Sequence, residues 1–344
     1  MPAPLRMAAI GLAHAHILDM IRALLAEGAL LVAHHAEAED GAEAARSCAA
    51  AFPQARPVDD PRTILEDRSI DIVLCAGVPD GRAATATAAM RHGKDVLIDK
   101  PAATTLAQLQ ALEQVQAETG RHCAVWFSER LAVRACTRAT ALVAAGAVGR
   151  VVQTVGLGPH RLAAHRRPAW FFDRARYGGI LCDLASHQVE QFLHYTGSTE
   201  ARVLAAQVAC LEPAAQPGLQ HFGDALLQGD DSSGYLRVDW LTAPGLPTWG
   251  DGRLFILGTE GQIELRKTVD LAGRPGGEHL FLVDRGGTRH FDCSQEPLPF
   301  AAQWLQDVRE RSALALPQAH CFRALRLSLQ AQAQAEARTQ PLHA

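Results

Sequence analysis

The sequence of 344 residues contains no charge-free apolar run of the roughly 20 residues that a membrane-spanning helix needs. Met1 to Arg6 is a short tail without the charged, apolar and cleavable succession of an export leader, so the cytosol is the expected location. An excess of charge of one sign is missing too. With 33 Lys and Arg against 37 Asp and Glu the formal charge is −4, which gives no electrostatic reason to expect a nucleic-acid partner. No Cys-x-x-Cys pair occurs among Cys48, Cys75, Cys123, Cys136, Cys182, Cys210, Cys293 and Cys321. Most of them have apolar neighbours, so buried free thiols are expected and neither a disulfide framework nor a zinc site is. Internal repeats and long low-complexity tracts are also absent, and no metal is called for. What is present, 48% hydrophobic and 20% charged residues, is a globular composition long enough for two domains.

A further shortage concerns glycine at one telling place. Met7 to Gly11 is a short apolar run ending in glycine, and a helical pattern follows from Ile17 to Glu27. Strand, turn and helix in this order make a dinucleotide-binding unit, in which the turn Gly11, Leu12, Ala13, His14 and His16 faces a pyrophosphate. Against G-x-G-x-x-G only Gly11 is present, because Ala13 and His16 stand where the second and third glycines belong. Further strands are expected at Ala29 to Ala33, Asp71 to Cys75, Val96 to Ile98 and Cys123 to Phe127. Helices are expected from Ala83 to His92, stopped by Gly93, and from a Thr104 or Thr105 cap to Thr119. The alternation predicts a doubly wound parallel sheet of Rossmann type over residues 1–125. Lys100 then stands at the carboxyl end of a strand, where open parallel sheets bind ligands, with Pro101 ending the strand behind it. Its alternative is a structural pairing with Asp99 or a helix terminus.

From residue 126 to 344 the pattern changes. A helix from Val133 to Ala145 is followed by strand patterns at Val151 to Gly156, Ala201 to Leu211, Tyr235 to Leu241, Leu254 to Leu257, Gln262 to Arg266 and His279 to Asp284. An α+β domain with an open, mostly antiparallel sheet is the expectation. Its uncovered face is expected to join copies of the chain as a homodimer or homotetramer. Within this half, Gly178 and Gly179 run into a helical stretch. On it Leu181, Val189, Phe192 and Leu193 share one side and Asp183, His187, Glu190 and His194 form a stripe on another. A carboxylate and an imidazole one turn apart can converge on one molecule, the imidazole moving a proton while the carboxylate orients it. The alternative is a solvated polar face. Just before the glycines, His160 to Arg174 is basic and aromatic. It reads as a substrate-side loop in which arginines grip hydroxyls or a carboxylate and Trp170 stacks on a sugar ring, with His160, Arg161 and Trp170 as ligand contacts, and at least one of Trp170, Phe171 and Phe172 anchors the loop in the core.

Asp99-Lys100-Pro101, followed about 80 residues later by Gly178-Gly179, Asp183 and His187, resembles the paired motifs of the Gfo/Idh/MocA family of NAD(P)-dependent oxidoreductases. Asp99 stands for the family's glutamate. The resemblance runs from about residue 7 to beyond 330. It implies hydride transfer between a nicotinamide cofactor and a secondary alcohol or carbonyl of a sugar, polyol or inositol-like substrate. Lys100, Asp183 and His187 are the implied catalytic residues, and the implied cofactor contacts extend to Gly77, Pro79 and Lys100. The family register puts the acid that holds the adenosine ribose at Ala36, and Glu37, one residue on, is its substitute here. With no arginine beside it for a 2'-phosphate, NAD is expected, with NADP as the alternative. Two rival readings stay open: an NAD-dependent glycoside-cleaving enzyme of the same fold, and a dinucleotide- or sugar-binding protein without turnover.

Overall fold

The computed structural model describes residues 3–212 and 214–338. Two compact units result. One comprises the chain up to Trp126 with Ala175–Gly178 and Pro299–Leu325, and the other Phe127–Arg174, Gly179–Leu298 and the chain from Arg326 on. The stretch from 299 to 325, which a single division at residue 125 gives to the second domain, thus belongs to the first unit. Its helix Phe300–Glu310 sets Phe300 edge to face on Trp126, 5.4 Å between ring centroids.

The first unit holds six parallel strands: β1 (Arg6–Ile10), β2 (Leu30–His35), β3 (Arg56–Pro57), β4 (Ile72–Cys75), β5 (Asp95–Asp99) and β6 (Cys123–Trp126). Their order is β3-β2-β1-β4-β5-β6, with parallel register throughout. Continuous apolar runs such as Ile72–Cys75 are buried on both faces, as strands sandwiched between helices must be. Chain order reverses between β1 and β4, so the turns after those two strands border the crevice where doubly wound sheets bind ligands. The helix expected from Ala83 begins earlier, at Pro79, because proline suits the first helical position, where no backbone donor is needed. Thr105, not Thr104, caps the helix Leu106–Thr119, its hydroxyl accepting from the Gln108 amide at 3.2 Å.

The second unit carries β7 (Val151–Pro159), β8 (Ala201–Ala209), β9 (Phe222–Gly229), β10 (Ser233–Asp239), β11 (Arg253–Gly258), β12 (Gln262–Arg266), β13 (His279–Asp284) and β14 (Gly287–Asp292). The sheet runs β14-β13-β12-β11-β7-β10-β9-β8 and is antiparallel except for the β7 and β10 pair. One face packs on helices, with Ala135, Cys136 and Ala139 of the helix Arg134–Ala144 in a core with Leu254, Ile256, Ile263, Leu265, Leu280 and Leu282. On the other face, alternate residues of the same strands, Leu226, Phe255, Leu257 and Val283, stay exposed. β9 and β14 escape sequence reading because glycine, aspartate, glutamine and arginine interrupt their alternation.

Instead of one helix after the double glycine there are two, Ile180–Asp183 and Ser186–Thr196, separated at Leu184 and Ala185. Gly179 has φ of +90°, and a Cβ on it would lie 2.3 Å from Cδ of Gln332. No other residue type satisfies both the backbone and that approach. The Gln332 carbonyl accepts from the Leu181 amide at 2.9 Å, so the glutamine that presses on the glycine also caps the helix behind it. The expected polar stripe is not solvated. His187 and Glu190 are buried, and Glu190 accepts from Arg130 Nε at 2.7 and 2.8 Å. His194 meets Thr140 at 2.9 Å. The stripe is therefore divided between the site and structural pairing.

Candidate active site

In the first unit, the turn after β1 is built on Gly11, whose φ is +79° and whose Cβ, if present, would lie 2.7 Å from Cα of Gly77. Glycine at both positions lets the turns after β1 and β4 touch. Glu37 closes this cradle from the β2 side, where a Cβ on Gly77 would meet its Oε2 at 2.8 Å. Its carboxyl is pushed up from its ordinary range by burial and by the neighbouring Asp40. Ahead of the helix His16–Ala26 the turn amides are largely engaged. Leu12 donates to Asp40 Oδ2 at 2.6 Å, His14 to the Ala76 carbonyl at 2.9 Å and His16 to Nδ1 of His14 at 3.2 Å. A cradle of two apposed glycines beside an acid one strand over fits the adenosine side of NAD. A pyrophosphate at this turn would meet fewer free amides than a full glycine fingerprint leaves, with Asp40 as a rival anion.

Asp99, at the end of β5, is buried beside two imidazoles and a guanidinium. His16 Nδ1 stands 2.8 Å from Oδ1, while His14 Nδ1 at 3.4 Å and Arg82 Nη2 at 3.2 Å face Oδ2. Burial works against the charge of Asp99, but His16, Arg82 and His14 outweigh it and hold the carboxyl far below the usual carboxylate range. Burial also lowers the affinity of His14 for a proton, and His16 adds to the effect. The ligand atoms of His14, His16 and Asp99 lie within 4.8 Å of one another, a spacing open to a cation. Arg82 already supplies positive charge there, so the cluster is balanced without one. Arg82 also donates from Nε to the Gly77 carbonyl at 2.7 Å and from Nη1 to the Lys100 carbonyl, tying the turn after β4 to the backbone of Lys100. Lys100 itself is buried. Pro79 begins the helix that carries Arg82.

In the second unit, Asp183 ends the short helix Ile180–Asp183 and is half-buried, and His187 lies in the first turn of Ser186–Thr196. Around His187 is a buried charged network. Lys267 Nζ donates to Glu129 Oε2 at 2.8 Å and to Gln191 Oε1 at 2.9 Å. Gln191 Nε2 donates to the His187 carbonyl at 3.0 Å, and Gln188 Nε2 reaches Glu129 at 2.8 Å. Burial opposes the charge of Glu129, but Lys267, His187 and His160 bring its carboxyl down to about 2. Glu129 is thus held in its charged form by these partners. Phe127 meets the His187 ring edge to face at 6.5 Å.

The basic and aromatic loop is held at several points. Phe171 is the buried anchor, with Trp170 half-buried beside it. His160 Nδ1 is 3.1 Å from the Gly158 carbonyl, and its ring packs on Trp240 and Trp249. The Arg161 guanidinium is turned to the carbonyls of Ala243, at 3.3 Å, and Leu246. Arg82, Glu129, Gln188, Gln191 and Lys267 were not read from the sequence, and Arg167 only as one of the arginines of the basic loop. One signal was available: Lys94, Lys100 and Lys267 are the only lysines in the chain, and all three are buried. Lysine is almost never buried without a partner, so its scarcity beside many arginines marks each lysine as purposeful.

The first unit is thus a doubly wound sheet with two apposed glycine turns at its switch point, and the second an α+β unit carrying a buried histidine. A family profile described as "Oxidoreductase family, NAD-binding Rossmann fold" matches residues 6–127, and one described as "GFO/IDH/MocA C-terminal domain" matches 136–264. The chain belongs to the GFO/IDH/MocA oxidoreductase family. It is similar to a candidate oxidoreductase from Erwinia carotovora atroseptica SCRI1043, with 44% identity, a TM-score of 0.93 and coverage of 96% of this chain and 98% of that one. Levoglucosan dehydrogenase in complex with NADH and levoglucosan shares the fold at 19% identity, with a TM-score of 0.82 and 98% of each chain covered. The scyllo-inositol 2-dehydrogenase (NAD(+)) of Bacillus subtilis (strain 168) is 26% identical over 211 residues, 60% of this chain and 58% of that protein. D-xylose dehydrogenase of Paenarthrobacter nicotinovorans is 27% identical over 130 residues, 36% of this chain and 33% of that protein. The chain spans less than two thirds of the length of these curated relatives.

The position of Glu37 carries an expected result. A carboxylate at the ribose accepts from the 2'-hydroxyl and repels a 2'-phosphate. Glu37→Arg is expected to shift the ratio of NAD to NADP affinity toward NADP by about tenfold or more, since the guanidinium pairs with phosphate. Calorimetric titration with both cofactors measures this, and an unchanged ratio removes Glu37 from the ribose.

Proposed function

We propose that the chain is an NAD-dependent dehydrogenase that interconverts a secondary alcohol and its carbonyl on a sugar, polyol or inositol-like substrate. The observation that carries this reading is His187, a buried imidazole on a helix whose backbone Gln191 ties to the buried Lys267 and Glu129 pair, within a chain of this family. The resemblance to inositol and xylose dehydrogenases supports the substrate class. When bound, the nicotinamide supplies the hydride chemistry. His187 accepts the hydroxyl proton in the oxidative direction, Lys100 donates a hydrogen bond to the reacting oxygen as negative charge develops on it, and Asp183 orients the substrate. Gly11, Leu12, Ala13, His14, His16, Glu37, Gly77 and Pro79 form the cofactor side, and His160 and Trp170 belong to the substrate side.

Among the described residues no helix is long and apolar enough to cross a membrane. All eight cysteines are free, seven of them buried, which favours a reducing compartment, and we place the protein in the cytosol. The exposed apolar face of the eight-stranded sheet, with Leu226, Phe255, Leu257 and Val283, supports a second copy of the chain as its cover, in a homodimer or homotetramer.

Incubating the purified protein with NAD and a panel of sugars, polyols and inositols is expected to produce NADH, read by its absorbance, in proportion to product formed. Glycoside cleavage without accumulating NADH would favour the hydrolytic reading, because that cycle returns its hydride. Absence of any reaction, with no calorimetric binding of NAD or NADP at millimolar concentration, would leave a non-catalytic protein.

A further inference from the structure

Arg167 is half-buried on the loop between β7 and the short helix Ile180–Asp183, and its charge has an unusual setting. The guanidinium carbon lies 4.6 Å over the ring of Phe171 and 5.1 Å over that of Trp240. Nε donates to the Leu162 carbonyl at 2.9 Å, and Nη2 has only a long contact of 3.4 Å to the Arg161 carbonyl. Among the described residues no carboxylate comes within ion-pair distance of it, although Arg130, Arg174, Arg253 and Arg266 of the same unit each have one. Burial weakens its hold on the proton. Asp183 is the one anion whose field reaches it, and Arg166 opposes that effect.

These features fix the direction in which Arg167 can act. Two aromatic faces and one carbonyl hold the guanidinium plane and occupy Nε, and Nη2 has only its long contact to the Arg161 carbonyl, which leaves the Nη1 and Nη2 edge weakly engaged. Such an edge matches the two oxygens of a carboxylate, and a partly desolvated cation without a protein counter-ion gains most from an anionic partner. Hydroxyl groups can accept from the same edge, but they leave the charge uncompensated. Asp183, one of the proposed alcohol-binding residues of the same unit, is an anion whose field acts on this guanidinium.

We propose that Arg167 receives a carboxylate of the substrate, so that the preferred substrates are sugar acids or related polyhydroxy acids in preference to neutral sugars. The inference rests on the dehydrogenase reading above and narrows its substrate class. No bond is made or broken at Arg167, which binds and orients the acid while oxidation takes place at a hydroxyl carbon.

The test compares acids with their neutral counterparts, gluconate with glucitol and galacturonate with galactose, in NADH formation and in thermal stabilisation of the protein with NAD present. For the wild type, kcat/KM is expected to favour the acid of at least one pair by about 10- to 100-fold, the range a charged hydrogen-bonding contact supplies. Arg167→Met is expected to collapse that ratio, chiefly through KM, and Arg167→Lys to recover part of it. Thermal stabilisation by the acid, absent with the neutral partner and lost in Arg167→Met, supports the carboxylate site even where turnover is slow. A wild type that prefers the neutral partner throughout, or an Arg167→Met variant that keeps the acid-to-neutral ratio, overturns the inference and leaves the dehydrogenase reading standing. If neither series yields NADH and neither stabilises the protein, the dehydrogenase reading falls and this inference with it.

Discussion

His187→Asn is expected to lower kcat/KM for alcohol oxidation by about 10²- to 10⁴-fold, the usual contribution of a positioned general base, while the protein stays folded. Asparagine fills similar space and keeps the backbone carbonyl that accepts from Gln191, so the helix Ser186–Thr196 retains its tie to Lys267. The pH profile is the sharper readout. An imidazole must be neutral to accept the hydroxyl proton, so the wild-type kcat/KM falls on the acid side as His187 becomes charged. Glu129 and Lys267, facing it from neighbouring elements, form an ion pair, and Glu129 gives up its charge only near pH 2. They do not produce that limb. His160 is the other imidazole coupled to Glu129 and the alternative proton carrier. In His187→Asn the acid limb should vanish, and a limb that persists unchanged transfers the proton to His160 or another group. Lys100→Met should also lose about 10²- to 10³-fold if Lys100 has the proposed role of hydrogen-bonding the reacting oxygen, whereas near wild-type kinetics would make Lys100 structural.

The largest effect on stability is expected at the Glu129 and Lys267 pair. Lys267→Met leaves a buried carboxylate with Gln188 as its one remaining donor in the network, and breaking a buried pair in this way costs about 3–5 kcal/mol. In thermal denaturation that corresponds to a fall in Tm on the order of 10 °C. Replacing both partners, Glu129→Gln with Lys267→Met, removes the uncompensated charge, so the double variant should recover much of the loss. The pH dependence has a definite sign. The folded-state pKa of Glu129 lies near 2, below the ordinary carboxylate value of 4.5, so its contribution to stability is complete above about pH 4.5. That contribution declines as pH falls toward 2. In Lys267→Met the carboxyl can take up a proton more readily, and the difference from wild type should narrow in acid. Urea titrations across this range measure it. A single-variant loss below about 1 kcal/mol would mean the pair is solvated in solution and does not brace the histidine helix.

Much of the first unit was legible because its strands are short, apolar and regularly separated by helices. Period and punctuation then suffice to place β1, β2, β4, β5 and β6 within a residue or two. The two-residue β3, the helices Ala42–Ala51 and Arg62–Leu65 and the return of residues 299–325 escaped, since a very short element, a helix that buries little more than Cys48 and a long-range packing partner leave no local pattern. In the second unit, six of the eight strands were visible. The motif residues Lys100, Asp183 and His187 stood out because a lysine at a strand end and a carboxylate four residues before an imidazole are local arrangements.

What the chain order alone determined is therefore the succession of elements, the degenerate dinucleotide turn and the family to which the two motifs point. Those properties depend on neighbours within a few residues, where spacing and side-chain type act directly. The tertiary structure decided the fate of charges separated by tens of residues. It broke the expected helix at Leu184 and Ala185 and turned Glu190 from the polar stripe to Arg130. It took the Arg161 guanidinium into backbone carbonyls while leaving the Nη1 and Nη2 edge of Arg167 weakly engaged, and joined Glu129 to Lys267 across 138 positions. No periodicity encodes such pairings. A buried charge accepts whichever partner the packed fold brings within about 3 Å, and the cost of leaving it alone enforces the choice.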